Sequence, residues 1–370
     1  MRQPRLKAPG HLDVAYYHCI SRVVNRDFVL GKGEKEMFVH FMRMYERLCG
    51  LRVVTFCVMS NHFHVLVEVP RRPAVPPTEK ELLAIIEKAQ GAVRAHLVRS
   101  ELEELRQAGA HDAAARVIQG WIGRMWDVSQ FMKTLKQRFT QWFNKTHKRK
   151  VTLWEDRFRS VLVEGGGDAL AMMAAYIDLN PVRAGIVADP KDYRWCGYAE
   201  AVVGIKMAQE GIRVAVEARR RRAVSVNAAP DEYRGLLFTW GEERGAKGDG
   251  SPLMKRGFDR KRAANELARG AKLSAATLLR CRVRYFTAGA VIGGRAFVDG
   301  VFSALRDRFG ATREDGARRF RGLEADAEMY ALRDLRRDVF GCLPPANLSH
   351  NHFITCDLKN FTITSGALSG

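Results

Sequence analysis

The sequence predicts an α+β fold in which one antiparallel sheet carries packed helices. Three observations lead to this prediction. Strand-like runs alternate with helical ones in the N-terminal half, and two of the strands are joined by a short turn. In addition, 46% of the 370 residues are hydrophobic, which indicates a globular chain with a sizeable core and excludes a disordered polypeptide.

The first predicted elements are a strand, a helix and a hairpin. Residues 14–23 alternate and are rich in β-formers, which predicts a strand. Residues 34–49 place their apolar side chains on one helical stripe, and Gly50 is expected to end that helix. The β-rich runs 52–58 and 62–69 flank a three-residue turn, which predicts a β-hairpin.

The next elements are mainly helical. Residues 79–143 have a helical pattern almost throughout, interrupted by single glycines. Residues 151–164 return to strand character. Asp168 is expected to cap the N-terminus of a further helix, which should end near Asn180 because Pro181 follows.

A change in composition near residue 204 predicts how the chain is divided. Beyond it, basic and Gly-rich stretches precede Leu- and Arg-rich segments, and the end of the chain carries little charge. We expect an α+β domain over 1–204 with a helical insert at about 79–128, a basic linker over 205–262, a mainly helical accessory region over 263–342 and a poorly ordered tail over 343–370.

The charge predicts a polyanionic partner. Lys and Arg number 61 against 41 Asp and Glu, which gives a net charge of +20 and favours nucleic acid over a membrane surface. No apolar run reaches the ~18 residues that a membrane span needs, and no apolar stretch follows the basic N-terminus. The seven scattered cysteines contain no C-x-x-C pair. We therefore expect a cytoplasmic protein without a disulfide framework or zinc knuckle.

The stretch 131–160 is a candidate nucleic-acid interface, because aromatic side chains interleave with its lysines and arginines. Trp142 and Trp154 are the candidates for stacking on bases. The alternative is a solvated helix face whose aromatic side chains lie in the core. The candidate DNA-binding residues along the chain are Arg22, Lys136, Arg138, Lys148, Arg149, Lys150, Trp154, Arg157 and Arg183.

Two further patterns suggest catalysis. His62 and His64 alternate along a strand, so their imidazoles share a face and can share one metal ion. The alternative is a pair of histidines on a half-exposed strand. Tyr176 and Asn180 are four residues apart on a predicted helix, which can place a nucleophile beside a metal ligand. The alternative for Tyr176 is a packing role, which is common for a helical tyrosine.

Four stretches carry a resemblance to a known family. In order along the chain they are 17–22 (YHCISR), 58–67 (VMSNHFHVLV), 153–160 (LWEDRFRS) and 176–185 (YIDLNPVRAG). Together they resemble the HUH single-tyrosine transposases of insertion sequences, and within them the REP-associated tyrosine transposases. The segment 284–293 also looks like an extension, of unknown function, in some longer relatives.

The resemblance implies a fold, a site and a reaction. The fold would be a ferredoxin-like, RRM-like sheet with packed helices. His62, His64 and Asn180 would hold Mg²⁺ or Mn²⁺, and Tyr176 would attack a phosphodiester to form a 5′-phosphotyrosine. The partner would be single-stranded DNA with a hairpin or repeat sequence, and the protein would be nucleoid-associated.

Two other functions compete with this one. The chain could be a non-catalytic nucleic-acid-binding protein that retains the fold, or a metal-dependent nuclease that uses water in place of Tyr176. The sequence leaves the oligomeric state open between a monomer and a homodimer.

Overall fold

The computed structural model describes residues 6–239, 285–320 and 329–335. The strands are β1 (Val14–Arg22), β2 (Arg52–Val58), β3 (His62–Pro70), β4 (Arg159–Val163), β5 (Val291–Gly293), β6 (Arg318–Arg319) and β7 (Tyr330–Ala331). The helices are α1 (Lys32–Cys49), α2 (Glu79–Gln90), α3 (Ala92–Gln107), α4 (His111–Ile122), α5 (Val128–Thr146), α6 (Asp168–Asp178), α7 (Asn180–Arg183), α8 (Gly197–Val202), α9 (Lys206–Arg220), α10 (Ala229–Thr239), α11 (Tyr285–Ala288) and α12 (Arg295–Ala304).

The strands form one sheet in the order β2-β3-β1-β4-β5-β7-β6. The first four strands pair antiparallel, and α1 and α5 provide the two crossovers between them. This β-α-β-β-α-β connection with the order β2-β3-β1-β4 is the ferredoxin-like arrangement, so the predicted fold class is confirmed. Strand β5 continues the sheet by pairing parallel to β4.

The two faces of the sheet bury different side chains, because neighbours along a strand point in opposite directions. One face carries Phe63, Val65 and Val67 and is covered by α1 and α5, with α2–α4 packed beside them. The other face carries Leu66 and Val161 and is covered by α6 and α9. We call this second face the histidine face, because His18, His62 and His64 also lie on it.

Helix α9 lies unusually close to the edge strand β2. A Cβ atom on Gly211 would come within 2.3 Å of the carbonyl oxygen of Val53, so only glycine permits this approach. Helix α9 also packs on α6, and α10 packs on α9. These contacts fix α6 against the sheet.

Most local predictions in the N-terminal half are confirmed. The hairpin consists of β2 and β3, and Gly50 ends α1 in the left-handed conformation with a φ of 60°. The prediction that Asp168 caps α6 is wrong, because Gly167 occupies the cap position with a φ of 67° and Asp168 is the first helical residue. Of the residues predicted as strand at 151–164, only the last part forms β4.

The C-terminal half contains more sheet than its sequence pattern suggests. Helices α9 and α10 occupy part of the stretch predicted as a basic linker, and β5–β7 lie within the region predicted to be mainly helical. The predicted tail at 343–370 and residues 240–284 lie outside the described residues. No helix of the described ranges combines the length and apolar character needed to cross a membrane.

Candidate active site

The predicted histidine pair lies on β3, at the end nearest the hairpin turn. His64 is opposite Ile20 of β1, and His62 is opposite Arg22. The rings of His62 and His64 have centroids 5.2 Å apart. The prediction that both imidazoles share one face of the strand is therefore confirmed, while Phe63 between them is buried in the opposite core.

Tyr176 lies on α6, which crosses the histidine face. Its ring centroid is 6.2 Å from that of His64, and the Tyr176 side chain is buried with 2% exposure. The sheet and the helix thus bring together two residues that the sequence analysis proposes as metal ligand and nucleophile. The ring of Phe286 on α11 lies 4.7 Å from that of Tyr176 and covers it.

His18 is a third imidazole in this cluster, and no sequence pattern predicts a role for it. It lies on β1, fully buried, with its ring 6.3 Å from Tyr176 and 5.1 Å from His64. The two nitrogens His18 Nε2 and His64 Nδ1 are 2.8 Å apart, and His18 Nδ1 lies 2.8 Å from the carbonyl oxygen of Phe286. Burial lowers the pKa of His18 to about 4 and that of His64 well below its usual value.

Asn180 and Arg183 lie just beyond the end of α6 and turn back towards Tyr176. The Asn180 side-chain amide donates from Nδ2 to the carbonyl oxygens of Tyr176 and Ile177, at 3.3 and 3.0 Å. The Arg183 guanidinium carbon lies 4.1 Å from the centroid of the Tyr176 ring, within cation–π distance. The four-residue spacing of Tyr176 and Asn180 therefore places both next to one end of the helix.

Asp178 anchors the helix that carries Tyr176. Its buried carboxylate accepts hydrogen bonds from Thr55 Oγ1 of β2 at 2.9 Å, from the Tyr198 amide of α8 at 3.1 Å and from Tyr233 Oη of α10 at 2.8 Å. A bulge between Val53 and Thr55 interrupts the β2 register beside this contact. Burial raises the pKa of Asp178 to about 7, although the hydrogen bonds oppose that rise.

The two imidazoles and the Asn180 amide offer donor atoms of the kinds that divalent metal ions accept. His62 Nδ1 is 2.7 Å from Asn61 Oδ1 and His64 Nδ1 contacts His18, so in each ring Nε2 is the nitrogen that would reach a metal. The Asn180 amide uses its nitrogen on the helix carbonyls, which leaves its oxygen as the donor atom. In the described part of the chain, no three His, Cys, Asp or Glu side chains form a group that could hold a metal.

The structure places the basic candidate DNA-binding residues in three groups. Arg22 on β1 lies directly opposite His62 on β3 in the strand register, and Arg183 lies over the Tyr176 ring. Both residues therefore flank the cluster. Lys136 and Arg138 belong to α5 on the opposite face of the sheet. The remaining basic candidates lie in the connection between α5 and β4. Lys148, Lys150 and Arg157 are exposed there, and Arg149 is half-buried.

Trp154 is a core residue, which differs from the prediction that it stacks on a base. Its ring lies 5.3 Å from Phe63 and 5.8 Å from Phe139, and the side chain is 7% exposed. For this residue the alternative interpretation, an aromatic side chain in the core, describes the structure. Trp142 is half-buried against Phe139 and remains the candidate for stacking.

Three residues near the cluster, His18, Arg159 and Phe286, have no role predicted from the sequence. His18 and Arg159 belong to the motif stretches 17–22 and 153–160. The face of the sheet on which each side chain lies can be inferred from strand alternation only when the strand register is known. Arg159 is exposed, pairs with Ile20 and lies in the same cross-strand row as His64. Phe286 has no local signal, because its contact with Tyr176 arises only from the tertiary fold.

Comparison with known proteins supports the first two of the four motif stretches. Residues 12–109 match the family model described as "Transposase IS200 like"; the match includes His18, His62 and His64 and ends before Tyr176. A solved structure of a REP-associated tyrosine transposase bound to a REP hairpin is similar with 15% identity and a TM-score of 0.36, covering 55% of this chain and 86% of that chain. Curated proteins give no match. Over residues 12–109 the chain is therefore similar to the IS200-like transposases, and this range contains the first two of the four motif stretches, 17–22 and 58–67.

Proposed function

We propose that this protein is a transposase that cleaves and rejoins single-stranded DNA, with Tyr176 as the nucleophile. One observation carries the proposal: the Tyr176 ring on α6 faces the imidazole of His64 on β3, at 6.2 Å between centroids. A phenol beside two imidazoles on one strand matches the chemistry of phosphodiester transesterification. The family match over residues 12–109 and the net charge of +20 support it.

In the proposed reaction, Tyr176 forms the covalent bond to the DNA. Its hydroxyl loses a proton and forms a bond to the scissile phosphorus, the bond from phosphorus to the 3′ oxygen breaks, and that oxygen takes up a proton. The products are a 5′-phosphotyrosine and a free 3′-hydroxyl. Because the phosphotyrosine retains the energy of the broken bond, a 3′-hydroxyl can reverse the step and rejoin strands without a nucleotide cofactor.

The metal site would consist of His62 and His64 through Nε2 and Asn180 through its amide oxygen. When bound, a divalent cation polarises the scissile phosphate and stabilises its developing negative charge. Imidazole ligands suit Mn²⁺ better than Mg²⁺, which prefers oxygen. We therefore expect both ions to support activity, with Mn²⁺ the more effective in vitro.

Positive charge around the cluster would hold the DNA backbone. Arg22 beside His62, Arg159 in the row of His64 and Arg183 over Tyr176 surround the proposed position of the phosphate. A phosphate between α6 and the sheet would be contacted by Tyr176 from the helix side and by the metal site from the sheet side. A flexible single strand can bend into such a cleft more easily than one strand of a stiff duplex.

The expected substrate is a single strand that carries a short hairpin or repeat. The folded-back duplex would position the cleavage site through contacts to its backbone, which fix register without reading sequence. The exposed Lys148 and Lys150 lie in the α5–β4 connection, which runs beside the end of β1 at Arg22. They are therefore candidates for this backbone contact.

A labelled oligonucleotide distinguishes this function from its two competitors. A single-stranded hairpin substrate is labelled at either end, incubated with Mn²⁺ and run on a denaturing gel. We expect the 3′ label to remain with the protein and the 5′ label to appear in a shorter free strand, and both products to be lost in Tyr176→Phe. Two free fragments without an adduct indicate a nuclease that uses water, and binding without cleavage indicates a non-catalytic binding protein.

The same assay tests the form of the substrate. The matched duplex, with identical sequence and no free single strand, should give little or no adduct. An equal yield of adduct from duplex and single strand contradicts the single-strand mechanism, even if Tyr176 is the nucleophile.

A further inference from the structure

His18 is a buried polar side chain at the proposed site for which the reaction as described has no use. It lies on β1 opposite Leu66, one diagonal step from His64 on β3. Diagonal neighbours on one face of a sheet are close enough for long or aromatic side chains to meet. The nitrogens His18 Nε2 and His64 Nδ1 accordingly approach to 2.8 Å.

The hydrogen bonds of His18 fix where its proton lies. The carbonyl oxygen of Phe286 can only accept, so His18 Nδ1, at 2.8 Å, must carry the proton and donate it. A neutral imidazole with a proton on Nδ1 has its lone pair on Nε2. His18 Nε2 is therefore an acceptor, and His64 Nδ1 must be the donor in the bond between the two rings.

The position of that proton decides which nitrogen of His64 can bind a metal. With its proton on Nδ1, His64 carries its lone pair on Nε2. If His18 were instead protonated on both nitrogens, it would donate to His64 Nδ1, and the proton of a neutral His64 would move to Nε2 and block metal binding. His18 is fully buried, and burial of a charged ring is costly, so His18 stays neutral.

The other proposed ligand on β3, His62, is held in the same tautomer by a different partner, Asn61. The Asn61 side chain donates from Nδ2 to the carbonyl oxygen of Arg26 at 2.9 Å, which orients its amide. Its Oδ1 therefore accepts from His62 Nδ1 at 2.7 Å. A neutral His62 then also carries its lone pair on Nε2. Two unrelated contacts thus impose the same tautomer on both proposed ligands.

We propose that His18 is a positioning residue that holds His64 in the tautomer able to bind the metal, with the backbone carbonyl of Phe286 as the end of the chain of hydrogen bonds. The inference rests on the proposed function, because it takes His64 to be a metal ligand. Outer partners of this kind orient a ligating imidazole and increase its basicity, and their loss weakens metal binding about 10–100-fold.

Two substitutions separate this role from simple packing. His18→Leu fills a similar volume but cannot form either hydrogen bond. His18→Gln can accept from His64 through its amide oxygen and donate to the Phe286 carbonyl through its amide nitrogen, so it preserves the direction of both bonds. His40, an exposed histidine on α1, provides the control substitution His40→Gln.

The first measurement uses the unmodified full-length chain without metal. Long-range ¹H–¹⁵N NMR spectra report which nitrogen of each histidine carries the proton. We expect His64 to be protonated on Nδ1 and to have an unprotonated Nε2, and His18 to show the same tautomer. A His64 protonated on Nε2 in the folded wild-type chain overturns the proposal, whatever the variants do.

The second measurement is the affinity for Mn²⁺ alone, by titration calorimetry without DNA. We expect about 10–100-fold weaker binding in His18→Leu, most of the affinity retained in His18→Gln and no change in His40→Gln. Equal affinity in His18→Leu and the wild type overturns the proposal. If His18→Leu does not fold, loss of Mn²⁺ binding in a folded His18→Gln also contradicts it. A wild-type chain that forms no DNA adduct contradicts the proposed function instead, while the tautomer of His64 still decides the role of His18.

Discussion

The ring of Phe286 lies 4.7 Å from the ring of Tyr176 and is itself fully buried, so a segment from the C-terminal half of the chain covers the proposed nucleophile. The same residue accepts the hydrogen bond of His18 through its backbone. DNA must reach the Tyr176 hydroxyl for the proposed reaction. We therefore expect the position of α11 to control access to the site.

Removing the covering ring should expose Tyr176. In Phe286→Ala the backbone carbonyl is retained, so His18 keeps its partner while the ring contact with Tyr176 is lost. We expect faster adduct formation and faster nitration of Tyr176, measured by mass spectrometry, with a stability cost of about 3–5 kcal/mol. Phe302→Ala removes another buried ring, from α12, and is the control. Equal nitration of Tyr176 in the wild type and Phe286→Ala would show that this ring does not limit access.

The histidine pair should be required for cleavage and not for DNA binding. His62→Ala or His64→Ala removes a ligand from the proposed metal site, while the phosphate contacts remain. We expect cleavage to fall about 100-fold or more, with DNA affinity little changed in a filter-binding assay. His40→Ala, on the exposed side of α1, should cleave normally. Wild-type protein that cleaves at its full rate in EDTA would exclude a role for the metal.

Arg159 should contribute one phosphate contact. It is exposed, and it lies in the cross-strand row of His64. We expect Arg159→Gln to weaken binding of single-stranded DNA and to reduce the slope of log affinity against log salt by about 0.7. The matched control is Arg99→Gln, an equally exposed arginine on α3. The same salt slope in Arg159→Gln and the wild type would place Arg159 outside the interface.

The buried carboxyl of Asp178 should make stability depend on pH. Burial raises its pKa in the folded chain to about 7, above the ordinary value of 3.8. The folded state then binds more protons than the unfolded state between about pH 4 and 7, so stability decreases as pH rises through that range. We expect the metal-free wild type to lose more of its melting temperature between pH 5 and 8 than Asp178→Asn does. A parallel pH dependence in the two proteins would show that Asp178 does not titrate in this range.

The sequence was sufficient for the parts of the fold that depend on local periodicity. The alternation of residues 62–69 correctly placed Phe63 in one core and His64 on the other face. The hairpin and the helix ending at Gly50 were also predictable, because a turn and a left-handed glycine have local signals. Tyr176 could be singled out only by the family resemblance, since its helical pattern fits a packing residue equally well.

The rest depends on tertiary contacts that a sequence does not display. The approach of His18 to His64 requires the register of β1 against β3, and the cover of Phe286 requires β5 to pair with β4. Trp154 looked like a stacking platform because it lies among lysines and arginines. Its burial against Phe63 becomes visible only when the sheet and α5 are packed together.

The role of Tyr176 as nucleophile is tested most directly by identifying the residue that carries the DNA. A single-stranded hairpin oligonucleotide is incubated with the protein and Mn²⁺, the adduct is isolated under denaturing conditions, and the DNA-linked peptide is sequenced by mass spectrometry after nuclease and protease digestion. We predict a phosphorylated nucleotide remnant on Tyr176, and no adduct in Tyr176→Phe protein that still binds the oligonucleotide. An adduct on any other residue, or undiminished adduct in Tyr176→Phe, would contradict it.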